Sequence, residues 1–327
     1  MMTYSLGGFF THFEFNRELL LERERNPRIF HEDTRIGTFY DSFPNVIFNG
    51  GRAFIERQFD NSRQQMEEIV RFYNDRGIGL RYTYSNTLLE ERHLEDPLAN
   101  LTLEIAHNPL NGVVVASPLL ERYIRRTYPK YQIIISTTAQ NFDRQWLKKR
   151  AEEVDLVVLP VELNFDRELM ELIGPKKVEL LVNEGCAAYC PYKKDHYAAA
   201  SRDQINGDEK YTLSGAFFKT VCPMREGTKL WESGYRHSHM PVKMNLEQMR
   251  EVHRDPGVDN FKIICRLLPL DIFVGEVRKY LIKPKYWEIT RLNKVADLMV
   301  QQSKNRRDAV EQGQEAPSRP DEAATPS

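Results

Sequence analysis

Cysteine is scarce in this chain, with four among 327 residues: Cys186, Cys190, Cys222 and Cys265, all in the C-terminal half. That number is too small for a disulfide scaffold, and a chain this long has core enough not to need one. No run approaches the ~18 consecutive apolar residues of a membrane-spanning helix. The opening MMTYSLGGFFTHFEF lacks a basic n-region and a small-residue cleavage site, so a signal peptide is not expected. Together these absences predict a cytoplasmic, reducing location with no membrane insertion. A surplus of charge is missing too. The formal net charge is −1, so no global field draws the chain to nucleic acid or acidic lipid. G-x-G-x-x-G, H-E-x-x-H and G-x-S-x-G are all absent, which leaves no sequence signal for a dinucleotide fold, a zincin or a nucleophile elbow.

What is present is a beat of short β-branched or aromatic runs alternating with charged stretches of helical period. The predicted strands are 36–40, 79–84, 112–116, 132–136, 156–160, 178–182, 240–244 and 261–265. Helices are predicted over 62–76, 99–107, 119–127, 142–153, 166–173, 246–253 and 270–280. Runs such as Val113-Val114-Val115 and Val157-Val158-Leu159 are continuously apolar, which marks strands covered on both faces. Eight strands alternating with helices predict an α/β fold, a TIM-like (β/α)8 barrel over residues 35–290. Residues 1–34 read as an N-terminal helical extension. Residues 303–327 have no aromatic side chain and one valine, and read as a disordered tail. The segment 193–239 is too long for an ordinary connection and is expected to be functional.

Four thiolates are the number that holds a [4Fe–4S] cluster or a tetrahedral zinc. Their separations, 3, 31 and 42 intervening residues, fit neither a zinc ribbon nor a ferredoxin run, so a shared site must be assembled by the fold. In a barrel the four would fall after neighbouring strands at the C-terminal mouth, where active sites of this fold lie. The steps Cys190-Pro191 and Cys222-Pro223 favour iron–sulfur over zinc, since proline also follows a ligating cysteine in bacterial ferredoxins. Four unrelated core cysteines are the bland alternative.

Other polar residues are placed at the same mouth. Asn49 and Arg52 flank a Gly-Gly turn that could bind an anion, or the turn could be purely structural. Lys262 and Arg266 are charges in an otherwise buried strand, suited to an acidic substrate or to a carboxylate such as Glu179. Asn86 and Glu162 could orient substrate, whereas Asn164 is expected to cap the following helix. His196 is expected to pack within a helix, and His237 and His239 share one strand face. The basic run Arg122, Arg125, Arg126, Lys130 could hold RNA phosphate but reads better as a solvated helix face.

The segments Val178–Cys186 and Cys190–Tyr197 resemble the collagenase-like peptidase family, peptidase family U thirty-two. Gly257-Val258-Asp259-Asn260-Phe261-Lys262-Ile263-Ile264-Cys265-Arg266 is similar to that family's late block, with Ile264 and Cys265 standing where the block has Glu and Gly. The resemblance implies a TIM-like barrel and, in several members, a four-cysteine [4Fe–4S] cluster. Those members serve oxygen-independent hydroxylation of ubiquinone, of a transfer-RNA uridine or of a ribosomal-RNA cytidine. It implies a small-molecule or RNA substrate, and a hetero-oligomeric partner of the same family is a further expectation. Three functions therefore stay open: an iron–sulfur enzyme of hydroxylation or related redox chemistry, a peptidase with zinc or no metal, and a non-catalytic cluster-bearing partner subunit.

Overall fold

A computed structural model describes residues 1–56, 59, 62–234, 241–264 and 270–287. Eight parallel strands close into a barrel in strict sequence order. They are β1 (Met2–Gly7), β2 (Thr34–Asp41), β3 (Gly79–Tyr82), β4 (Gly112–Val115), β5 (Gln132–Ile135), β6 (Leu156–Val158), β7 (Val178–Leu181) and β8 (Asn260–Ile263). The barrel thus starts earlier than residue 35. Met2–Gly7 pairs with β2 on one side and β8 on the other, and is buried throughout. Its Met-Thr-Tyr-Ser-Leu alternation, five residues long and followed by Gly7-Gly8, carries no apolar run to mark it in the sequence. The other correction lies at residues 240–244. Residues 241–244 form no strand, and only Lys243 makes an isolated bridge, to Asn183.

The apolar runs do what their composition dictates. Val114, Ile134, Leu156, Val158 and Leu181, from β4 to β7, meet as one interior cluster with Val161, against which Val242 and Ile264 pack. Charged side chains are buried on β3, β7 and β8. Arg81 of β3 is ion-paired with Glu179 of β7, and the Lys262 ammonium of β8 lies 3.9 Å from the centre of the Tyr40 ring. Buried charges are tolerable only when paired.

Helices follow the strands. They are α2 (Arg63–Asn74), α3 (Pro97–Ile105), α4 (Pro118–Thr127), α5 (Arg144–Glu153) and α6 (Arg167–Ile173). Each has a side-chain cap from Ser62, Asp96, Ser117, Asp143 or Asp166, and α3 and α4 start on proline. On α4, Leu120 and Ile124 are buried while Arg122, Arg125 and Arg126 are exposed, the solvated face read from the sequence. Between β7 and β8 the chain makes α7 (Lys193–Asn206), α8 (Thr212–Thr220), α9 (Lys229–Glu232) and α10 (Leu246–Arg254).

Two compact units divide the described residues: 1–13 and 33–264 belong to the barrel unit, and 14–32 and 270–287 to the other. In the second, α1 (Phe13–Arg25) and α11 (Leu270–Leu281) meet through Phe15 and Phe273, with ring centroids 5.3 Å apart. Phe30 bridges to Ile282, and Lys283 pairs with Glu32 at 2.6 Å. Residues 303–327, expected to be disordered, lie outside the described residues.

Candidate functional site

The stretch after β7 builds the site. Asn183 clasps the chain leaving β8: its Nδ2 donates to the Ile264 carbonyl at 3.0 Å and its Oδ1 accepts the Ile264 N–H at 2.6 Å. Just beyond, Glu184 Oε1 accepts the Cys186 N–H at 3.0 Å. The loop then turns at Tyr189, whose φ of +52° is left-handed, and reaches Cys190 before α7 begins.

Cys186 and Cys190 lie close enough for their thiols to act on one another. The Cys186 thiol lowers the Cys190 pKa to about 6, burial acting against it and the Lys193 charge with it. The Cys190 thiol, followed by burial, raises Cys186. Cys222, on the loop after α8, is raised by burial, and its thiol lies within electrostatic reach of Cys190. All three described cysteines are free thiols. Among the described residues no group of three or more His, Cys, Asp or Glu side chains is gathered as a ready metal site. In chemistry the donors are those of a soft metal centre, two neighbouring thiols with a third within electrostatic reach of Cys190. Cys265 and Arg266 lie outside the described residues, as do His237 and His239.

Behind the thiols is a buried ion pair. Lys193 Nζ is 2.9 Å from Glu162 Oε1, with side chains 4% and 1% exposed. The same oxygen accepts the Tyr189 N–H at 2.9 Å, while Glu162 Oε2 is buried with no hydrogen-bond partner among the described residues. Burial pulls the Lys193 pKa down, but Glu162, Cys186 and Glu184 outweigh it and the net shift is upward. Sequence reasoning placed Glu162 at the mouth but missed Lys193, because Lys-Lys-Asp at a helix start reads as solvated charge.

The remaining candidates have structural partners. Asn49 is buried, donating to the Arg52 carbonyl at 2.9 Å and accepting the Thr83 hydroxyl at 3.0 Å. Gly50 lies where a Cβ would come within 2.3 Å of the Ser85–Asn86 backbone, so the Gly-Gly turn packs the two loops together. Arg52 is exposed, close enough to α7 for its charge to bear on His196 and Tyr197. Asn86 is a strut, donating to the carbonyls of Ile47 and Ser201. Asn164 does not cap the next helix, since Asp166 does so; its side chain donates to the Leu181 carbonyl at 2.6 Å. His196 packs flat on Phe217, with centroids 5.9 Å apart. Lys262 stays inside the barrel on the Tyr40 ring. At the rim, Tyr189 and Phe142 stack with centroids 6.4 Å apart and are 61% and 38% exposed.

No helix among the described residues is long and apolar enough to cross a membrane. No curated protein matches the chain. The solved structure of the U32 peptidase Mk0906 matches 82% of this chain and 94% of its own, with a TM-score of 0.50 and 16% identity, a likeness of fold. The model of peptidase family U32 matches residues 36–182, from β2 through β7, and ends just before the cysteine loop. The likeness to peptidase family U32 thus spans residues 36–182, and the closed eight-stranded barrel is the fold shared with the solved neighbour.

Proposed function

We propose that this chain is an iron–sulfur enzyme of the U32 class, acting in oxygen-independent hydroxylation or related redox chemistry on an aromatic or nucleoside substrate. Cys186, Cys190 and Cys222, with Cys265, would hold the [4Fe–4S] cluster, which when bound supplies electron transfer, or an open iron coordination position where Cys265 is not a ligand. What supports the reading is the closeness of the Cys186 and Cys190 thiols, with Cys222 within electrostatic reach of Cys190, all on the chain between β7 and β8. The residues around them have recognisable parts in such chemistry. Glu184 and Asn183 hold the loop in place, Lys193 sets the local charge, and Arg52 is the exposed cation for an anionic group, Lys262 lying on the Tyr40 ring and Arg266 outside the described residues. The exposed Tyr189 and Phe142 rings offer a planar ring a stacking surface beside Cys190.

Anaerobic purification tests the proposal. A brown protein with broad visible absorption and about four irons and four sulfides per chain is the expected outcome. The structural neighbour is called a peptidase. A colourless protein carrying a single zinc, or no metal, and cleaving peptides would replace the redox reading with that hydrolase reading. An iron-loaded chain inactive without a partner of the same family would make it a partner subunit.

A further inference from the structure

We propose that Lys193 and Glu162 are positioning residues of the thiolate site, Lys193 offsetting its negative charge and Glu162 anchoring the Cys186–Cys190 loop; this rests on the cluster reading above. A buried ion pair is by itself a poor device for stability, because desolvating two charges consumes most of what their attraction returns. This one also leaves Glu162 Oε2 buried without a partner among the described residues, a further cost. The pair is therefore better explained by what it touches.

Two connections bind it to the cysteines. Glu162 Oε1 accepts the Tyr189 N–H, fixing the left-handed residue that immediately precedes Cys190. The Lys193 N–H in turn donates to the Cys190 carbonyl at 3.2 Å, so the residue that supplies the ammonium is also tied to the ligand loop. The Lys193 charge acts on both Cys186 and Cys190, and Glu184, another buried carboxylate, stands against Cys186. Without Lys193, deprotonated thiols here would face two carboxylates and no neighbouring buried cation among the described residues. The potential of an iron–sulfur centre follows the net charge around it, so the ammonium and the carboxylate should move it in opposite directions.

The experiment is a redox titration of full-length, anaerobically loaded protein, with iron content and thermal unfolding measured alongside. Lys193→Met should shift the midpoint potential negative, and Glu162→Gln should shift it positive while keeping an acceptor for the Tyr189 N–H. Lys193→Arg should stay near wild type, and the electrically neutral double variant Lys193→Met/Glu162→Gln should return toward it. Glu162→Ala should lose more iron than Glu162→Gln, because only alanine removes the anchor. If the single variants shed iron and the double variant keeps it, charge compensation is likewise supported. Shifts of the same sign, no shift, or equal iron loss in single and double variants overturn the proposal. Wild-type protein that binds no iron overturns the cluster reading, and this inference falls with it.

Discussion

Cys190 gives up its proton ahead of Cys186 because the neighbouring Cys186 thiol favours the thiolate, and the nearby ammonium of Lys193 adds to the effect. In metal-free, reduced protein, alkylation of Cys190 should therefore rise with pH through about 6, the thiolate being the nucleophile. Cys186→Ala removes that thiol, so the same profile, followed by mass spectrometry, should move to higher pH; an unchanged profile would show that Cys186 does not act on Cys190. The Arg81–Glu179 pair poses a different question, since it lies inside the barrel with Glu179 only 1% exposed. Glu179→Ala leaves Arg81 buried and uncompensated, and should lower stability by about 3–5 kcal/mol in denaturant unfolding. The double variant Arg81→Met/Glu179→Leu should recover most of that loss, because the desolvation cost disappears with both charges.

At the scale of an element, the loop Asn183–Tyr192 has no strand or helix of its own and is held by side chains to its backbone. Asn183 holds Ile264, Glu184 holds Cys186, and Glu162 holds Tyr189. Metal binding and loop ordering are coupled in such an arrangement. Cys186→Ser should bleach the anaerobically purified protein and make the segment 183–191 more open to protease, while the rest of the barrel keeps its circular dichroism. Retention of full iron content would exclude Cys186 as a ligand. The helices are governed more locally. Ser117 accepts the Leu120 N–H at the start of α4, and Ser117→Ala should cost about 1 kcal/mol, a loss of cap without effect on iron.

For the whole molecule, closure depends on β1. Its six residues join β2 to β8, so deleting residues 1–7 would leave two open sheet edges where the barrel has none. We expect that deletion to give insoluble or unfolded protein, as judged by size-exclusion chromatography and circular dichroism, whereas a compact, cooperatively unfolding product would show that seven strands suffice. The interior is likewise assembled from several strands. The apolar cluster spans β4 to β7, and the buried charges Arg81, Glu179 and Lys262 stand on β3, β7 and β8.

Six of the eight strands, and most helices, are legible in the sequence for a local reason. A strand covered on both faces must be apolar throughout, as in Val113–Val115 and Ile133–Ile135, and a helix must carry its cap next to it, as Ser117-Pro118 does. Strand β8 is also legible, although Lys262 interrupts it, because Phe261 and Ile263 flank the charge. β1 escapes because alternation over five residues resembles any coil. The candidate site divides along the same line. Residue type alone marks the cysteines as donors, since thiol chemistry belongs to the side chain. Which atoms meet is decided by closure of the barrel. The closeness of Cys186 and Cys190 depends on a left-handed turn at Tyr189, and the Glu162–Lys193 pair joins the loops after β6 and β7, 31 positions apart in the chain. Burial then gives a lysine that reads as solvent-facing charge its place behind two thiols, because only the folded chain excludes the water that would otherwise screen it.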